Sequence, residues 1–200
     1  MKKIITTALA MIMITVMGLS SSAFAAEKVE TDSYESILDS INKEYNLNLG
    51  YVSVDASVNI EEYENIARKL AIQQRELLNY IALREVGSLS APAYPSTAAL
   101  ASSVVKTKTK PVWNFEGDFN IQATYTVFNN NTISLCRNAT TKSTPSAIIA
   151  NTYLTNISAP TYRVIDSGMT STVKFTATVH YDSIIGFKNM SLYTEFYYND

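Results

Sequence analysis

The sequence predicts an α+β protein with segregated parts: an N-terminal helical hairpin followed by an all-β antiparallel sandwich. Three observations carry that prediction. Between residues 27 and 86, apolar side chains recur every three or four positions, the period of one helix face. From Val112 onward they alternate with polar ones, the period of a strand with one wet side. Residues 88–111 between them are rich in Ala, Ser, Thr and Pro and hold no lasting period, which reads as a flexible linker.

The first segment, MKKIITTALAMIMITVMGLSSSAFAAEK, has the three parts of a secretory signal. Lys2 and Lys3 form the charged start. Residues 4–19 are an apolar run, shorter than the ~20 residues a helix needs to span a bilayer. Ala23-Phe24-Ala25 fits the small-x-small cleavage rule, so the expected cut follows Ala25 and the exported chain starts at Ala26. The expected organisation is thus a signal over 1–25, a helical region over 26–87, a linker over 88–111 and a β-sandwich over 112–200. Loss of Lys2 and Lys3 makes the exported chain more acidic than the formal net charge of −2.

In the helical region, Asp32 or Ser33 can cap a first helix running to about Tyr45, with Ile37, Leu38, Ile41 and Tyr45 on one face. An extended bridge over 47–54 follows. Asn59, with Glu62 three positions on, makes a capping-box-like start for a second helix from Ile60 to about Val86, stopped by Gly87. Its stripe of Tyr63, Ala67, Leu70, Gln74, Leu77 and Ile81 steps 4-3-4-3-4. Such a seam packs on the rest of the chain, or self-associates with a second copy through the Tyr63–Ile81 face.

In the β region, Phe119, Ile121, Ala123, Tyr125 and Val127 form one alternating strand, and Val173, Phe175, Ala177, Val179 and Tyr181 another. Shorter candidates lie at 132–136, 148–154, 162–165 and 190–198. Asn129-Asn130-Asn131 and Asp166-Ser167-Gly168 are turn signals. Lys106, Lys108 and Lys110, at the end of the linker, alternate with Thr and suit either solvent or an anionic surface.

Composition removes several function classes. One Cys and one His exclude an internal disulfide scaffold and leave little for a zinc site. The slightly acidic balance lacks a nucleic-acid footprint. No phosphate-binding glycine loop, Gly-x-Ser-x-Gly elbow or His-Glu-x-x-His helix is present, and no cofactor is expected. Cys136 with His180 is the one nucleophile–base pair available, without a motif around either; an inert buried Cys136, or one that pairs between molecules, are the other readings. The densest polar–aromatic cluster is Trp113 with Glu116 and Asp118. It offers an aromatic face for a sugar and two carboxylates, as ligand contacts or as a hydrolytic pair completed by Asp166, Asp182 or Glu195. Asn130, Asn138, Asn156 and Asn189 each open an Asn-x-Ser/Thr triplet.

The stretch SILDSINKEYNLNLGYVSVD, continuing into IEEYENIARKLAIQQRELLNYI, resembles the helical start of small secreted proteins of Gram-positive bacteria that have no assigned activity. That resemblance implies export and carries no catalytic motif. The expected function is a secreted, non-enzymatic binding or structural role at or outside the bacterial cell surface, with a cell-wall or surface glycan as the candidate partner. A secreted carboxylate-dependent hydrolase acting on a polysaccharide is the first alternative. A membrane-active toxin-like protein, inserting the strands around residues 119–128 and 171–183, is the second.

Overall fold

The structure is a computed structural model that describes residues 33–52, 58–86, 103–113, 119–143, 152–181 and 185–200. The expected cleavage site at Ala23, Ala25 and Ala26 lies outside these residues, as do Glu116, Asp118 and Asp182. The described residues form an α+β fold with two α-helices and two antiparallel sheets.

Helix α1 runs through 33–45 and buries Tyr34, Leu38 and Ile41. Asn46 ends it in the left-handed region at φ 51°, a conformation Asn tolerates. The Asn42 side chain then holds the departing chain: its amide donates to the Leu49 carbonyl at 2.8 Å and its oxygen accepts from the Leu49 N–H at 2.9 Å. The short strand β1 (Gly50–Tyr51) follows. Helix α2 (Ile60–Val86) starts where Asn59 Oδ1 accepts from the Glu62 N–H at 2.7 Å, a cap that contributes about 1 kcal/mol. Its buried residues are the whole 4-3-4-3-4 stripe plus Ala71. The seam is covered by its own chain, so self-association through the Tyr63–Ile81 face is corrected to internal packing.

The smaller sheet has the order β2 (Ser103–Pro111), β3 (Phe119–Phe128), β4 (Arg137–Ser143). β2 pairs with β3 over all its 9 residues, so the flexible linker expected over 88–111 does not extend across 103–111. The Lys/Thr alternation there is an edge strand, whose charged side chains also discourage pairing with other chains. Inside the candidate at 132–136, only Ile133 makes a bridge, to Val127.

In the larger sheet, β7 (Thr170–Tyr181) pairs along one side with β8 (Ile185–Tyr197) and along the other with β6 (Thr161–Ile165) and β5 (Tyr153–Thr155), end to end. β1 joins the outer edge of β8 at Lys188 and Phe187. This sheet is curled like half of a barrel. Each sheet carries one bulge, and each bulge holds a left-handed Asn: Asn138 at φ 52° opposite Gln122/Thr124, and Asn189 at φ 62° opposite Ala177/Val179. Asn156 is left-handed as well, at φ 49°. Backbone geometry therefore accounts for three of the four Asn-x-Ser/Thr asparagines.

Across the β8 bulge, Phe187 and Met190 stand opposite Val179 and Ala177 and share their face. That face, with Leu192, Phe196, Val173 and Phe175, merges with Phe119, Ile121, Ala123 and Tyr125 of β3, with α1 and with the first half of α2 into one core. Both helices of the helical region share that core with the sheets. A second cluster of Leu77, Ile81 and Tyr193, with Tyr80 and Trp113 against it, lies on the opposite face of β8. Helix α2 thus begins on one face of the sheet and ends on the other. It crosses the β8 edge at Gln74, which donates to the Ser191 carbonyl (3.1 Å) and accepts from the Ser191 N–H (2.9 Å), as a neighbouring strand would.

β3 and β7 belong to different sheets, and β7 is interior to its own, so the two strands do not form the hairpin the membrane-active reading requires. Among the described residues, no helix is long and apolar enough to cross a membrane.

The phenol hydroxyls of Tyr63 and Tyr125 are buried with no hydrogen-bond partner. An unpaired buried hydroxyl costs about 1–3 kcal/mol. Tyr125→Phe should therefore raise the urea midpoint of unfolding, by the equivalent of about 1 kcal/mol; a lowered midpoint would show that the hydroxyl has a partner.

Candidate functional site

The outward groups of β8 set the site. Beyond Ser191, the Tyr193 carbonyl accepts from the Trp113 N–H at 2.9 Å, and the Glu195 carbonyl accepts from Lys110 Nζ at 3.1 Å. These contacts bring the end of β2 alongside β8. Tyr193, Glu195 and Tyr197 alternate along the strand and so project from one face, over which α2 carries Tyr80 and Arg84, one helical turn apart. A cleft of about 240 Å³ opens between them, lined by the aromatic Tyr80, Trp113, Tyr193 and Tyr197 and by the charged Lys110 and Glu195.

Glu195 is the centre of the polar network and only 7% exposed. It accepts from the hydroxyls of Tyr197 (2.7 Å), Tyr193 (2.8 Å) and Tyr80 (3.2 Å), and from Arg84 Nε and one terminal nitrogen (both 3.1 Å). Arg84 also makes a bidentate pair with Asp166, at 2.9 and 2.5 Å. Asp166 sits in a left-handed turn at φ 54° and takes a further bond from Thr170 Oγ1 at 2.7 Å. Lys110 bonds Asp200 Oδ1 at 2.7 Å and lies 4.3 Å over the Tyr197 ring. Lys106 donates to the Asp200 carbonyl, so two of the three sequence-picked lysines hold the chain's last residue.

The electrostatics follow from this arrangement. Burial pushes the Glu195 carboxyl up, but the bonds from Arg84, Tyr197 and Tyr193 and the Arg84 charge outweigh it and hold the group below the usual carboxylate range. Burial, then donation to Glu195, raises the Tyr193 and Tyr197 phenols; burial and the Glu195 charge raise Tyr80. At neutral pH the centre is an ionised carboxylate ringed by protonated phenols. Tyr80 stacks on Trp113 (5.2 Å between centroids, 12° between planes) and meets Tyr193 edge-on at 6.2 Å.

Of the sequence-picked residues, Trp113 lines this cleft, and Asp166 and Glu195 are brought together through Arg84. Both acids are tied to one guanidinium, and Glu195 is held ionised, which leaves it no proton to give as a general acid. Cys136 and His180 do not meet. The Cys136 N–H donates to Ser171 Oγ, near the start of β7, at 2.9 Å. His180 lies nine residues along that strand, about 30 Å away. There His180 stacks on Tyr153 at 4.5 Å and bonds Thr155 Oγ1 at 2.8 Å. Burial pushes the Cys136 thiol up to about 11, so it is a protonated core residue, and pairing between molecules through it is corrected as well. Among the described residues, no group of three His, Cys, Asp or Glu is placed to hold a metal ion.

Tyr80, Arg84, Tyr193 and Tyr197 were missed as site residues. Two local patterns bear on them: Tyr193-Thr194-Glu195-Phe196-Tyr197 puts Tyr, Glu and Tyr on one strand face, and Tyr80 with Arg84 shares one helix face. No protein-family model, curated protein or solved structure matches the chain, so the chemistry of the cleft rests on its geometry alone.

Because the folded state holds Glu195 below its unfolded value, its contribution is complete above about pH 5 and is lost as pH falls through the depressed value. Stability should fall with acid more steeply in the native protein than in Glu195→Gln, measured as urea midpoints between pH 6 and 3. Parallel pH profiles would show that the network does not stabilise the fold.

Proposed function

We propose that the protein is exported by a bacterium and acts at or outside the cell surface as a non-enzymatic binding protein, with the Trp113–Tyr80–Glu195 cleft as its ligand site. One observation carries the reading: an aromatic cleft whose buried carboxylate, Glu195, is saturated by donors and fixed in the ionised form. Such a group organises a site without taking part in proton transfer. The secretory pattern of the first residues supports export. In the same reading the two sheets are the layers of an antiparallel sandwich, supported by the Tyr125–Phe196 contact at 5.5 Å and by the apolar core shared between them.

Trp113 is the single tryptophan of the chain, so its emission reports on the cleft alone. Titration with solubilised bacterial envelope fractions should give a saturable emission shift with at least one of them, and the bound component should be recovered unaltered. Unchanged emission across every fraction would overturn the binding reading. Release of reducing ends would restore the hydrolase in its place.

A further inference from the structure

We propose that the cleft over Glu195 receives a quaternary ammonium group, the trimethylammonium head of a choline-type ligand. This rests on the reading that the cleft is a ligand site and names the class of ligand. The first support is what the cleft lacks. A neutral sugar needs several hydrogen-bond partners, but the polar groups here are committed. The three phenols donate to Glu195, Arg84 is divided between Glu195 and Asp166, and Lys110 is bonded to Asp200 and to the Glu195 carbonyl. A quaternary ammonium has no N–H and requires none of them.

The second support is what the cleft offers. Four of its lining residues are aromatic, Tyr80, Trp113, Tyr193 and Tyr197, with Tyr80 stacked on Trp113, and aromatic rings attract a cation whose own hydration is weak. Phenols that donate to a carboxylate carry more electron density than free ones, which strengthens that attraction. Two cations of the chain already use these rings: Lys110 lies 4.3 Å over Tyr197, and Arg84 lies 6.0 Å over Tyr80. The third support is charge. Three cations, Arg84, Lys106 and Lys110, balance three carboxylates, Asp166, Glu195 and Asp200, so the cluster has no surplus positive charge with which to select an anion. The volume also fits: 240 Å³ is below the ~300 Å³ at which pockets for drug-sized molecules begin, which suits one compact head group. The larger groove, about 370 Å³ beside Asn46, Asn48, Gln74 and Asn189, has amides and leucines but no aromatic wall.

The test is titration of the full chain with tetramethylammonium, choline, its uncharged carbon isostere 3,3-dimethylbutanol, and methyl β-glucopyranoside, followed by Trp113 emission. Saturable shifts with both ammonium compounds, with the isostere about tenfold weaker, are expected. An isostere as tight as choline would overturn the proposal, because shape and not charge would then be read. A shift with the glucoside and none with choline would overturn it while leaving the cleft a ligand site. Silence to these probes and to the envelope fractions alike would overturn both readings. Line broadening of the choline N-methyl protons gives a readout independent of the indole: Trp113→Leu should weaken binding about tenfold and Trp113→Phe only a few fold, with circular dichroism confirming that each variant is folded. Equal affinity of all three proteins would contradict an aromatic wall. Sedimentation with phosphatidylcholine vesicles against competition by free phosphocholine separates a lipid source of the group from a soluble one.

Discussion

The hydrogen bonds between the Gln74 amide and the backbone of Ser191 are the constraint on which the rest of the structure depends. β8 has a strand on one side only beyond its bulge, and an exposed row of N–H and C=O groups is both costly when buried and open to pairing with other chains. The chain closes that edge in pieces. β1 pairs with Lys188 and Phe187, Gln74 takes Ser191, the Trp113 N–H takes Tyr193, and Lys110 takes Glu195. Gln74 is the piece that lets a helix lie across the edge. With a strand in that place, α2 would be confined to one face of the sheet, and Tyr80 and Arg84 would not reach Glu195.

From that crossing follows the division of the interior. The first half of α2 buries Tyr63, Ala67 and Leu70 in the large core, where Tyr63 stacks on Phe187 at 5.8 Å. The second half buries Leu77 and Ile81 against Tyr193. The polar network then sits at the rim of the small cluster, where a buried carboxylate is tolerable because three phenol hydroxyls and a guanidinium surround it. Removing one partner from such a group leaves a charge in a poor dielectric, at a cost of about 3–5 kcal/mol. Each aromatic residue of the cleft is either bonded to Glu195 or, as with Trp113, tied to β8 through its own backbone N–H.

What the sequence disclosed follows from which interactions are local. α2 was legible at both ends because its cap, its stripe and its stop lie within the helix, and the alternation of β3 and β7 marked their buried faces. β2 reads as linker because KTKTK, residues 106–110, holds no apolar residue; it is a strand by virtue of its partner and not of its own pattern. Gln74 reads only as one position of the helix stripe, since nothing near it in sequence shows that the neighbour is a strand edge. The site was legible only in Trp113 and, among several acids, in Asp166 and Glu195. Its other members come from two helical positions and one strand separated by more than a hundred residues, and no spacing rule links them.

The crossing itself is tested most directly by amide hydrogen exchange at Ser191, compared between the native chain and Gln74→Leu. If Gln74 stands in for a strand, the Ser191 amide exchanges as slowly as the interior amides of β7 in the native protein. It should lose that protection in the variant while β7 keeps its own, and Trp113 emission should shift to the red as Tyr80 leaves the indole. Unchanged protection at Ser191 with unchanged emission would contradict the central role given to this side chain.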